Sequence, residues 1–276
     1  MTLTTLMVGL QAGRSNRAVL AAAADLAERF GSGVIGVAAC RPIEVACFDY
    51  SVPAKLFDED RKQAARDLQA AEAEFRSTLQ GRTNRLEWRA ATTTSLLADH
   101  MASEGRSADL IIVGGDGKGG PIDMTRHIDL CDLVMQAGRP VLVVPEAASN
   151  GKLDRVVVGW KDARESRRAI VDALPLLTGA KEVTVAAVTT QAEAGTTRSQ
   201  LEQVVEWMGR HGVSAQALVV TSRGSHAGEL AAIADQRRAD LVVAGAYGYS
   251  REREWVLGGV TADLLRHPRR CTLLSH

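Results

Sequence analysis

Two stretches of this chain superimpose without a gap. Asp240, Gly245, Gly248, Asp263 and Arg270 each lie 131 residues after Asp109, Gly114, Gly117, Asp132 and Arg139. Nearer the front, Gly159 in RVVVG follows Gly9 in TLMVG by 150 residues, and the 19-residue difference falls in a loop and a long polar helix of the first copy. A chain that matches itself in this way folds as two copies of one unit, so the question becomes what one unit is. The small polar stretch EAASNGKL (146–153) is the expected linker, giving domains at 1–146 and 153–276.

Each copy alternates short β-branched runs with amphipathic runs. In the first, strands are expected at 5–9, 34–39, 86–90, 110–113 and 141–144, with helices at 17–30, 54–79, 96–104 and 130–137. In the second, strands are expected at 155–159, 183–188, 217–220, 241–244 and 272–274. The helices there are 165–177, 199–210, 226–237 and a short one after Thr261. Asn16 and Ser95 are candidate N-caps, and Gly31 a helix stop. The stripe of helix 54–79 is read as Leu56, Phe57, Leu68, Ala71 and Phe75.

Near-continuous apolar strands alternating with helices predict an α/β fold with a parallel sheet covered on both faces. Right-handed crossovers favour a doubly wound, five-stranded sheet of order 3-2-1-4-5 in each copy. Ligands bind such sheets beyond the carboxyl ends of the strands, where the order reverses. In the second copy that point is bounded by Gly159-Trp160-Lys161-Asp162 and Gly245-Ala246-Tyr247-Gly248. The second of these continues through a charged loop (Arg251-Glu252-Arg253-Glu254-Trp255) to Gly258-Gly259-Val260-Thr261. Glycines at the mouth of a strand let a ligand approach free backbone N–H groups, as phosphate sites require. The same glycines also suit a tight turn with close helix packing, and the residues alone leave both readings open.

With these residues in view, the chain resembles a tandem universal stress protein, two such domains covering nearly its whole length. The nucleotide-binding members carry G-x2-G-x9-G followed by Ser or Thr, and Gly245-x2-Gly248-x9-Gly258 has that spacing. RVVVGWKDARESRRAIVDAL (155–174) and GRPVLVVP (138–145) are similar to the family's first strand-helix and last strand. The resemblance implies an adenine-nucleotide alpha-hydrolase-like fold, ATP or ADP binding in some members, and pairing of two domains through their last strands. The apolar run Val141–Val144, an edge strand in the expected order, gives that pairing a physical reason.

The chain departs from the pattern in places. Gly259 stands where Ser or Thr follows the third glycine, with Thr261 two positions on. Lys161 stands where binding members place an Asp after strand one, Gln11 takes that place in the first copy, and His127-Ile128 replace Gly258-Gly259 there. A lysine can neutralise phosphate charge but cannot coordinate Mg²⁺, which is left open. The expected cofactor-binding residues are therefore Lys161, Gly245, Gly248, Gly258, Gly259 and Thr261, all in the second copy.

Composition narrows the function classes. Lys+Arg and Asp+Glu are equal at 33 each and aromatics are 4%. No basic footprint or stacking platform for nucleic acid is expected. No apolar run reaches the ~18 residues of a membrane span, so the chain is expected to be cytoplasmic. Cys40, Cys47, Cys131 and Cys271 form no C-x-x-C and read as reduced thiols. His226 and His267 lie near helix ends with no nucleophile motif beside them, and there is no H-E-x-x-H or P-loop. The expected function is a stress-response sensor or adaptor, not an enzyme, that binds ATP or ADP in its second domain. Two alternatives stand beside it: an interaction module built on the paired domains, with a homo-oligomer or protein partner, and a slow ATPase.

Overall fold

The computed structural model describes residues 2–43, 54–115, 123, 125–148, 152–222, 224–246, 259–266 and 269–276. Gly248, Gly258, Tyr247, Arg251–Trp255, His267, Cys47, Gly117 and the loop bearing Phe48 and Tyr50 lie outside the described residues. The chain forms two compact units, one of residues 3–139 and 144–151, the other of residues 1–2, 140–143 and 152–276.

In the first unit, β1 (Thr5–Leu10) leads to α1 (Arg17–Phe30), β2 (Gly33–Cys40), α2 (Ala54–Leu79) and β3 (Leu86–Thr92). Then come α3 (Leu97–Glu104), β4 (Leu110–Gly114) and α4 (Leu130–Gln136). The strands are parallel and ordered β3-β2-β1-β4. Leu6, Met7 and Val8 of β1 and Ile111 and Ile112 of β4 are fully buried, as strands covered on both faces require. α1 ends where expected, at Gly31 in the left-handed conformation.

The two expected caps are not used as caps. The Asn16 side chain makes no bond to the α1 backbone; its Oδ1 accepts from the Gln11 N–H at 2.9 Å and closes the preceding loop. α3 begins after Leu96 without a side-chain cap, so Ser95 has no such role. The buried face of α2 is Ala64, Ala71, Phe75 and Leu79, with Leu68 beside them, while Leu56 is 44% exposed. The buried stripe therefore starts two turns later than its apolar residues suggest, with Ala64 and Leu68 packed on Cys40 of β2 and Phe75 on Trp88 of β3.

The second unit runs β6 (Arg155–Trp160), α5 (Arg164–Leu177), β7 (Glu182–Thr189), α6 (Ala194–Arg210) and β8 (Ala215–Thr221). It continues with α7 (His226–Gln236), β9 (Leu241–Gly245), α8 (Val260–Arg266) and β10 (Cys271–Ser275). α6 starts five residues before its expected position, because Ala194–Arg198 carry little apolar signal. The order β10-β9-β6-β7-β8 is the expected 3-2-1-4-5 read from its other edge, and all its pairs are parallel. β5 (Val141–Val144) adds to the end of this sheet, antiparallel to β10, with Leu142 opposite Leu273. This ladder draws residues 140–143 into the second unit, although they precede the linker in sequence.

The repeat is visible in one hydrogen-bonding device. Asp109 Oδ2 accepts from the Thr4 and Thr5 N–H groups at 2.8 and 2.9 Å, and Asp240 Oδ2 accepts from the Arg155 N–H at 2.9 Å. Each carboxylate ties the start of its unit's first strand to the start of its fourth. Asp109 is drawn two ways: burial pushes its carboxyl up, while these bonds and the nearby Arg139 charge pull it down, and the balance lies below the ordinary value.

Candidate functional site

The second unit has a cavity of about 810 Å³ at the carboxyl ends of β6, β7 and β9, where the strand order reverses between β6 and β9. That is the volume range of small-molecule sites. Of the six expected cofactor-binding residues, four line it: Lys161 after β6, Gly245 at the end of β9, and Gly259 and Thr261 at the start of α8. Gly248 and Gly258 lie outside the described residues. Residues not expected at the site complete the wall: Glu165 and Ser166 from α5, Thr189 and Thr190 after β7, Glu193, Thr197 and Gln200 around α6, and Ser225 and His226 at α7. No local spacing could have found them, because they converge only through the sheet.

Lys161 is exposed at the rim, and its N–H donates to Ser166 Oγ at 3.4 Å. At the repeat offset of 150, this is the same loop-closing bond that Asn16 makes to Gln11. Asp162, one residue beyond the family's acidic position, is held by Arg167 at 2.6 Å. Thr261 is 2% exposed and lines the cavity wall. α5 begins after Ala163, which supplies no side-chain cap; the first turn lies beside the cavity, with the Glu165 N–H engaged by its own carboxylate. Glu165 is buried here. Burial pushes its carboxyl up, but the Arg164 guanidinium, its own backbone N–H and the charge of His276 together hold it below the ordinary carboxylate value.

Gly245 has a reason independent of any ligand. A Cβ there would stand 2.5 Å from the Glu165 carbonyl carbon and 2.6 Å from the Ser166 nitrogen. The first turn of α5 thus crosses directly over the end of β9, and only a glycine leaves room for its backbone. At the matching Gly114 nothing lies within 4 Å of the added carbon.

The first unit is built differently at the same place. The carboxylate of Glu74 from α2 sits at the start of α1, accepting from the Asn16 N–H at 3.1 and 3.2 Å. Asp129 caps α4 through the Asp132 N–H at 2.9 Å, and Ile128, in the register of Gly259, is 2% exposed. Arg126 pairs with Asp60 and Asp67 of α2 at 3.2 and 3.7 Å, and Ala64 and Leu68 pack on Ala12, just past β1, and on Cys40, the last residue of β2. A smaller cavity of about 430 Å³ remains around Gln11, Arg14 and Arg17. In this copy the protein's own carboxylates occupy the helix starts that a bound anion would use.

Among the described residues, no group of three or more His, Cys, Asp or Glu side chains is placed to hold a metal ion. Cys40, Cys131 and Cys271 form no disulfide among the described residues. Burial pushes Cys40 and Cys271 up to about 11, so both stay protonated near neutral pH. No described helix is long and apolar enough to cross a membrane.

This geometry, a doubly wound unit with a cavity at its switch point, made twice in one chain, has counterparts among solved structures. A universal stress protein from Archaeoglobus fulgidus DSM 4304 matches over 99% of this chain and 96% of its own, with a TM-score of 0.74 and 14% identity. A protein from Pseudomonas aeruginosa UCBPP-PA14, also named a universal stress protein, matches over 99% and 93%, with a TM-score of 0.62 and 15% identity. A functionally unknown protein from Pseudomonas aeruginosa PAO1 matches over 99% and 92%, with a TM-score of 0.59 and 14% identity. No protein-family model and no curated protein sequence matches the chain. The chain has the α/β fold of the universal stress proteins, in tandem.

Proposed function

We propose that this is a stress-response protein that binds an adenine nucleotide, ATP or ADP, in its second unit and works as a sensor or adaptor, not as an enzyme. The observation that carries this reading is the contrast between two copies of one crevice. In the first, α2 covers the strand ends and Glu74 and Asp129 satisfy the helix starts. In the second, α6 is shorter and an 810 Å³ cavity holds Lys161, Gly259 and Thr261 together.

In this reading Lys161 neutralises phosphate charge at the rim. The first-turn N–H groups of α5 other than that of Glu165, which its own carboxylate engages, and the backbone at Gly259 donate to phosphate oxygens, and Thr261 adds a side-chain hydroxyl. Ala186, Val188 and Leu230 give the cavity an apolar floor for a base. Gly245 serves the site indirectly, by letting α5 come close enough to present its first turn. Asp162 is engaged by Arg167, so the reading routes no step through Mg²⁺.

Calorimetric titration of ATP and ADP into the full chain tests the proposal. Binding is expected, with Lys161→Glu weakening it by at least about tenfold, the effect of roughly 1.4 kcal/mol of lost charge pairing. No heat from wild type up to millimolar nucleotide would sink the nucleotide reading and leave the interaction-module reading in its place.

A further inference from the structure

We infer that Glu193 reads the base, accepting a hydrogen bond from the exocyclic amino group of a bound adenine; this rests on the nucleotide reading above. Neighbouring strands lie about 4.8 Å apart, so β7 lies roughly 10 Å from β9 with β6 between them. A nucleotide with its phosphates at the start of α8, beyond β9, lays its ribose over β6 and its base over the end of β7. The group standing there is Glu193, at the start of α6 and in the cavity wall.

The state of its carboxylate sets what it can recognise. Thr190 Oγ1 donates to Glu193 Oε2 at 3.0 Å and Thr189 Oγ1 donates to the same oxygen at 3.2 Å. Two donors fill both lone-pair directions of Oε2. Among the described residues nothing donates to Oε1. The two threonines, with Thr197 donating onward to Thr189 at 3.4 Å, fix the carboxylate's orientation from the end of β7. One oriented acceptor oxygen suits the single amino group of adenine. Guanine presents two adjacent donors, N1–H and the 2-amino group, and wants both carboxylate oxygens, one of which is already engaged. A base with no amino group leaves the acceptor without a partner.

The test compares ATP with purine riboside triphosphate, which lacks the amino group, by calorimetry on the full chain. Wild type should bind ATP about tenfold more tightly, the effect of one charge-assisted hydrogen bond. Glu193→Ala should bring the ratio to near one, and so should Glu193→Gln, whose single amide oxygen is held by the two threonine hydroxyls so that its NH2, a donor, faces the base. Glu193 is exposed, so neither substitution disturbs the core. A wild-type ratio near one, or a tenfold ratio that survives Glu193→Ala, overturns the assignment of Glu193 while leaving nucleotide binding intact. Absence of binding by either nucleotide overturns both.

Discussion

Substituting alanine at Gly245 and at Gly114 separates the two reasons a glycine can stand at the end of a fourth strand. At Gly245 the new methyl group would lie 2.5 Å from the Glu165 carbonyl carbon, 2.6 Å from the Ser166 nitrogen and 2.8 Å from the Glu165 Cβ. Two of these three are backbone atoms, so no side-chain rotation relieves the overlap. Ordinary contact begins near 3.4 Å. The first turn of α5 must therefore move away from β9 by close to an ångström, against the burial of Ser166, Ala169 and Ile170 behind it. Overpacking of this kind costs about 3 kcal/mol, the upper end of the usual range. For a unit of this size that lowers its Tm by roughly 10 °C.

Gly114 has open space and no positive φ, so Gly114→Ala should stay within about 0.5 kcal/mol of wild type. Thermal and urea unfolding of the full chain and its two variants read the difference directly. The moved turn lines the cavity, so Gly245→Ala should also weaken nucleotide binding. A Gly245→Ala variant as stable as wild type, or a Gly114→Ala variant equally damaged, would refute the packing argument.

Glu74→Ala removes the carboxylate at the start of α1 and should cost about 1–2 kcal/mol in urea unfolding, by analogy with losing a helix cap. Burial, with the Asp240 charge adding to it, pushes the Cys271 thiol from an ordinary 9.0 up to about 11. Between those values the folded state holds a proton that the unfolded state releases. The thiol's contribution is therefore complete below about pH 9 and lost as pH rises through about 11, amounting to roughly 2–3 kcal/mol. Cys271→Ala should flatten the alkaline limb of the stability curve, and an unchanged limb would contradict the burial argument. Glu165 sits below its ordinary value in the folded state, so its contribution is present above the unfolded value and lost as pH falls through the folded one. Glu165→Gln should accordingly reduce the acid dependence of unfolding below about pH 4.5, measured by circular dichroism.

The sequence by itself determined the elements and their order. The duplicated register, the β-branched runs and the glycine that stops α1 are local signals, set by backbone conformation and by which face of a strand or helix is apolar. They suffice for two doubly wound sheets and for a crevice at the second switch point, with Lys161, Gly245, Gly259 and Thr261 around it. Where two local signals competed, the tertiary structure chose. Asn16 has the chemistry of a cap, yet its side chain closes the Gln11 loop, and a carboxylate 58 residues away takes the helix start. Leu56 has the apolarity of a core residue, but it stands 44% exposed on α2.

The difference between the two crevices was not legible in either copy alone. It depends on Glu74, Asp60 and Asp67 reaching strand ends that are distant in sequence, and on α6 being too short to do the same. The reason for Gly245 is likewise tertiary. Spacing makes it the first glycine of a phosphate loop, while packing shows it first as the point where α5 meets β9. Local sequence fixes what each segment can be; only the close approach of segments far apart in the chain decides which donors, acceptors and carboxylates are left facing a cavity.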